Sequence, residues 1–117
     1  MEQIEKKGNQ FNLNLITVTF RQAGNIVIYS PSLEISSFGK TKSKALEMFR
    51  EHISVFFEEM TKLGTLDTEM EKLGWEKSAG INQHTAKPLT PSQIKKRIHI
   101  NKFERENTFL NIVNAAA

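Results

Sequence analysis

Leu13-Asn14-Leu15-Ile16-Thr17-Val18-Thr19-Phe20 is rich in β-branched side chains and sets Ile16, Val18 and Phe20 on one side of an extended chain, with Thr17 and Thr19 on the other. That alternation predicts a half-buried strand. The following Arg21-Gln22-Ala23-Gly24-Asn25 carries a Gly-Asn turn signal, and residues 26–30 are a second β-rich run, so the pair reads as an antiparallel hairpin. Pro31 has no N–H and ends that ladder. Residues 32–38 are expected to add a third, shorter strand with Leu33 and Ile35 pointing to the same side.

Downstream the period changes. Thr41 is a plausible N-cap after Gly39, and Ala45, Leu46, Phe49, Ile53, Phe56, Phe57, Met60 and Leu63 then recur at three-to-four spacing. This predicts a long helix ending at Gly64. Its stripe carries three phenylalanines, each worth ~1.5–3 kcal/mol when fully buried, so it must lie on the sheet. Leu66, Met70 and Leu73 predict a short second helix before Gly74, and Trp75 opens a candidate edge strand. Residues 80–88 read as loop. Thr90-Pro91-Ser92-Gln93 combines an N-cap, proline at the first helical position and a capping-box glutamine. Beyond it two readings stand: Ile94 and Ile98 suit a helix face, whereas Ile98 and Ile100 alternate with Arg97, His99 and Asn101 as in a strand. Phe109, Leu110, Ile112 and Val113 form a last apolar cluster.

The expected architecture is therefore α+β: a small antiparallel sheet of about three to four strands with a long helix packed on it, a second short helix and a C-terminal extension. Residues 1–12 read as a polar tail, 13–80 as the α+β domain and 81–117 as a basic extension. At 117 residues with 38% hydrophobic and 25% charged side chains, the chain has room for one core of ordinary size. It contains no cysteine, which excludes disulfides, thiolate chemistry and Cys-ligated metals, and favours a reducing compartment. Residues 1–10 lack the apolar region of a signal peptide, and no apolar run approaches the ~20 residues of a membrane helix, so a cytoplasmic location is expected.

The net charge of +3 is concentrated late. Lys87, Lys95, Lys96, Arg97, Lys102 and Arg105 face only Glu104 within residues 84–105, and Lys95, Lys96, Arg97 and Lys102 are candidate nucleic-acid contacts. Phe103 is the single aromatic side chain nearby, which makes a thin stacking platform. Lys40, Lys42 and Lys44 surround the free N–H groups of the long helix's start and are candidate contacts for an anion or a partner carboxylate. The bland reading of both groups is a solvated surface.

Catalytic and metal sites are not expected. Two-metal phosphodiester cleavage needs several carboxylates around ions ~3.5–4 Å apart, but the chain has one aspartate, Asp67, and Glu47, Glu51, Glu58 and Glu59 read as the solvated face of the long helix. His52, His84 and His99 have no metal-binding spacing, and His52 reads as a partly buried, hydrogen-bonded imidazole. Ser30, Ser36 and Ser37 have no base at motif spacing, and Gly39-Lys40-Thr41 lacks the upstream glycines of a phosphate loop. No cofactor is expected either.

Tyr29-Ser30-Pro31-Ser32-Leu33, then Gly39-Lys40-Thr41, then Ala45-Leu46 leading into the long helix, resembles the HicB-like antitoxin family over roughly residues 13–75. Tyr29, Pro31, Leu33, Gly39, Thr41, Ala45 and Leu46 carry the likeness. The resemblance implies a partial RNase H-like fold and a non-catalytic bacterial protein that occludes a small HicA-type, mRNA-cleaving toxin. Where that family usually has acidic residues, this chain has Lys40, Lys42 and Lys44. The stretch from Gly80 onward matches neither the ribbon-helix-helix nor the helix-turn-helix segment that such antitoxins tend to carry. Two functions are thus expected in order: a protein-binding antitoxin-like module, and a basic nucleic-acid-binding module using the C-terminal segment. Open strand edges, or the C-terminal apolar cluster, also predict a homodimer.

Overall fold

The structure, a computed structural model, describes residues 1–78 and 83–113. Its elements are β1 Glu2–Lys7, β2 Gln10–Gln22, β3 Asn25–Ser30, β4 Ile35–Gly39, α1 Lys42–Leu63, α2 Leu66–Lys72, β5 Glu76–Lys77, β6 Gln83–Ala86, α3 Pro91–Ile98 and β7 Glu104–Val113. The class is α+β, but the described residues form a sheet of seven strands where three to four were expected. Every described pairing is antiparallel.

The surplus strands come from segments with weak alternation. Residues 1–12 are not a tail: they form β1 and the start of β2, with Ile4 and Phe11 buried in the main core. Residues 83–86, inside the expected loop, are β6, while Gly80, Ile81 and Asn82 lie outside the described residues, as does the 80/81 boundary. The ambiguous stretch after Thr90 is helical through Ile98, where His99 takes a left-handed conformation and ends α3. The last apolar cluster belongs to β7 and pairs with β2 over ten residues, from Gln10↔Val113 to Thr19↔Glu104.

β2 is the spine. β7 runs along one edge of it; the other edge is shared end to end by β1, opposite Gln10–Asn14, and by β3, opposite Val18–Gln22. Between those two ladders the Ile16 N–H would lack a strand partner. The Glu2 side chain supplies one: its Oε1 accepts from the Ile16 amide at 2.7 Å and from the Ser32 hydroxyl at 2.9 Å. Burial pushes this carboxyl above its ordinary value, against the opposing pull of those hydrogen bonds, the N-terminal ammonium and Arg105.

Both faces of β2 are covered. Phe11, Leu13 and Leu15 pack under α1 and α2 with Ala45, Phe49, Ile53, Phe57 and Met70. The Phe11 and Phe57 rings lie 4.8 Å apart. Val18 and Phe20 point the other way and pack with Ile94, beside Tyr29, Val27, Ile98, Ile100 and Phe103. The face with Val18 and Phe20 therefore meets α3, not the long helix.

Local signals explain the joints. Thr41 caps α1 by accepting from the Lys44 amide at 3.1 Å, and Gly64 ends it at φ 66°. A Cβ on Gly39 would stand 2.7 Å from the Ala45 nitrogen, so only glycine lets β4 turn this closely into α1. The β2–β3 turn is centred on Ala23 and Gly24, both at positive φ, and Asn25 already belongs to β3. Trp75 is buried, and its ring N–H donates to the Ser32 carbonyl at 2.9 Å, one residue ahead of the two-residue β5.

Candidate functional site

α1 crosses above β4, β3, β2 and β7, and its two flanks reach both outer edges of that part of the sheet. Lys42 pairs with Glu106, and Arg50 donates through Nη2 to the Asn111 carbonyl at 2.9 Å, both on β7. On the opposite flank His52 places Nδ1 2.7 Å from the Ser37 hydroxyl and 3.2 Å from the Ser36 carbonyl of β4. His52 is exposed, which corrects its expected partial burial; it covers a strand edge.

The outward face of α1 carries Glu47, Glu51 and Glu58 beside Met48 and Val55, the last 56% exposed. Lys44 and Lys62 pair with Glu47 and Glu58 at the two ends of this stripe. Further large apolar side chains stand exposed on strands: Phe38 on β4, and Phe109 and Val113 on β7. Alternation explains the β7 pair, because Leu110 and Ile112 point into the main core and their neighbours point away.

The candidate lysines at the start of α1 have separate surroundings. Lys42 goes to Glu106, whose hydrogen bond raises the lysine's pKa, and Lys44 goes to Glu47. Lys40 lies between β4 and the cap and is exposed. In the basic segment, Arg97 donates to the Pro31 carbonyl at 3.1 Å and faces Glu34, so it ties α3 to the β3–β4 connection. Lys95 and Lys96 are exposed on α3.

The structure does unite one member of each lysine group. A cleft of about 620 Å³ at the end of β2 has Phe20, Ile26, Ile100 and Phe103 as its apolar lining, with Arg21, Lys42, Lys102 and Glu104 beside them. Its size falls in the range of ligand pockets. In the sequence Lys42 and Lys102 belong to separate features, and Arg21 carries no signal of a site.

Among the residues of the family-like motif, Leu33 and Ala45 are in the main core, Tyr29 borders the second core, and Pro31 accepts from Arg97. Gly39 and Thr41 shape the entry to α1, whereas Leu46 is 40% exposed on the flank that holds Lys42 and Arg50.

The remaining histidine of interest is His84 on β6. It is buried in the row Ile4, Leu13 and Leu110, with Nε2 3.2 Å from Asp67 Oδ1 but off the hydrogen-bonding line. Burial pushes its pKa down, more strongly than Asp67 pulls it up. Asp67 itself is held below its usual range, chiefly by the Lys77 ammonium at 2.8 Å from its other oxygen. The trio ties α2 to the β5–β6 hairpin. Among the described residues there is no group of three or more His, Cys, Asp or Glu side chains arranged to hold a metal, and no helix long and apolar enough to cross a membrane. No protein-family model, curated protein or solved structure matches the chain.

Proposed function

We propose that the protein is a non-catalytic, protein-binding module of the antitoxin-like kind, which holds a small basic partner against the outward face of α1 and blocks that partner's working surface. The observation that carries this reading is Val55, 56% exposed on a rigid helix among Glu47, Glu51 and Glu58. An apolar side chain within a carboxylate stripe suits a partner that is basic at its rim and apolar at its centre. The sequence likeness to HicB-like antitoxins supports the partner class, a small HicA-type mRNA-cleaving toxin. The mechanism is steric occlusion, so the antitoxin needs no reacting group of its own.

The test is capture from the native host cells at moderate salt, with the wild-type chain and the Glu47→Lys/Glu51→Lys/Glu58→Lys variant in parallel. Wild type should retain one small basic protein in equal amount, the variant should lose it, and RNA cleavage by the recovered protein should stop when wild type is added back. Equal recovery by the variant, or a recovered partner whose activity the chain leaves intact, overturns the proposal.

A second reading, a basic nucleic-acid-binding module, rests on the cleft that joins Arg21, Lys42 and Lys102 to Phe20 and Phe103. There binding would weaken steeply with salt, and replacing Lys102 and Arg21 by alanine would lower the salt slope by about one per lost phosphate contact.

A further inference from the structure

We propose that two copies of the protein pair through β7, antiparallel and centred on Phe109, to form a two-fold dimer with one continuous sheet. This surface is separate from the outward face of α1. The Arg50 bond to the Asn111 carbonyl shows that the backbone of Asn111 points away from β2. In an antiparallel ladder the inward and outward residues alternate, so Arg105, Asn107, Phe109 and Val113 turn their N–H and C=O groups outward as well. Among the described residues, the Arg50 bond is the only hydrogen bond within the chain that reaches these outward groups. The edge is ten residues long.

The sequence of the strand favours its own copy as the occupant. Centring the pair on Phe109 matches outward groups to outward groups over residues 105–113. It sets Phe109, 73% exposed, against its counterpart, Asn107 against Asn111 of the second copy, and Arg105 against Val113, which is 61% exposed. No two like charges then stand opposite one another. The α1 side is consistent with that centre. Lys42 is anchored at Glu106 and Arg50 at Asn111, and Leu46 lies one helical turn from each on the same flank of α1, between the two anchors. The two-fold axis through Phe109 therefore brings the exposed Leu46 side chains of the two copies toward each other on one face of the sheet, while the phenylalanines meet on the other.

The absence of cysteine from the chain makes the register directly readable. Solution mass is measured over a wide concentration range for wild type and for Phe109→Glu, with circular dichroism to confirm that the exposed substitution leaves the fold intact. Wild type should approach twice the 13.4 kDa chain mass, and Phe109→Glu should weaken association at least about tenfold. Asn107→Cys and Asn111→Cys chains are then oxidised separately and mixed. In the proposed register the two positions face each other at about 5.5 Å between Cα atoms, within reach of a disulfide, while identical positions lie roughly 14 Å apart. Mixed chains should cross-link and neither variant alone should. A monomeric wild type at every concentration, an unchanged mass for Phe109→Glu, or cross-linking of Asn111→Cys with itself would each overturn the proposal.

Discussion

β4 and β7 close the same part of the sheet on opposite sides, and α1 guards both, yet the two edges are left in different states. β4 has five residues, turns at Gly39 directly into the helix and is met at its middle by His52. β7 has ten residues and receives one guanidinium at one carbonyl. A single side chain is enough for a short strand and covers only a fraction of a long one, so the length of the edge, more than the presence of a guard, decides which side remains available for pairing. The difference also separates the surfaces of one helix: its flanks manage the edges, and its outward face, which neither edge uses, is the one proposed to hold a partner.

The comparison breaks most severely at Gly39. Gly39→Ala forces a methyl against the Ala45 nitrogen where neither backbone can yield, and a loss of ~2–3 kcal/mol is expected in urea unfolding. Hydrogen exchange should rise first along β4 and the start of α1, leaving β7 protected; uniform loss along both edges would show that the edges are one cooperative unit.

Acidification tests a region that belongs to neither edge. The folded protein holds His84 below its ordinary pKa of 6.5, so the unfolded chain binds more protons between the depressed value and 6.5, and stability falls as pH drops through that window. A Tm lowered by a few degrees, with the earliest exchange at β5 and β6, is the expected outcome, and His84→Gln should flatten it.

Arg50→Ala and His52→Ala sharpen the contrast directly. Arg50 occupies the Asn111 carbonyl that pairing would use, so its removal should tighten self-association several-fold while costing about 1 kcal/mol of monomer stability. His52→Ala should leave self-association unchanged, since β4 is too short to compete. Equal effects on solution mass would abolish the distinction. The smallest effect is at the β2–β3 turn. Ala23 sits at φ 51° before Gly24, the conformation that Asn-Gly adopts most easily, and Ala23→Asn should add ~0.5–1 kcal/mol to the β3–β4 side without altering β7 pairing.

The elements legible in the sequence were those specified by neighbours. Thr41, Gly64 and the Thr90–Gln93 capping box mark helix ends through contacts three or four residues away, and the α1 stripe needs only a period of 3.6. β1, β6 and the charged half of β7 carry too few apolar residues to alternate visibly, and become strands because distant partners supply their ladders. Glu2 illustrates the limit: nothing in a polar N-terminal run indicates that its carboxylate will stand in for a missing strand at Ile16. The candidate site follows the same rule. Lys42 and Lys102 were visible singly, but their meeting with Arg21, and the reach of Arg50 and His52 to opposite edges, depend on how α1 and β7 settle on β2.

The β2–β7 ladder also sets an order of events during synthesis. Gln10 waits for Val113 and Thr19 for Glu104, so β2, β3, β4 and α1 can all leave the ribosome and fold together while one whole side of β2 is still without its strand. Closing such a distant pair is slow relative to local hairpin and helix formation. For that interval the nascent chain carries a long open template, and its yield at high expression will depend on how quickly translation delivers β7 compared with how often two unfinished chains collide.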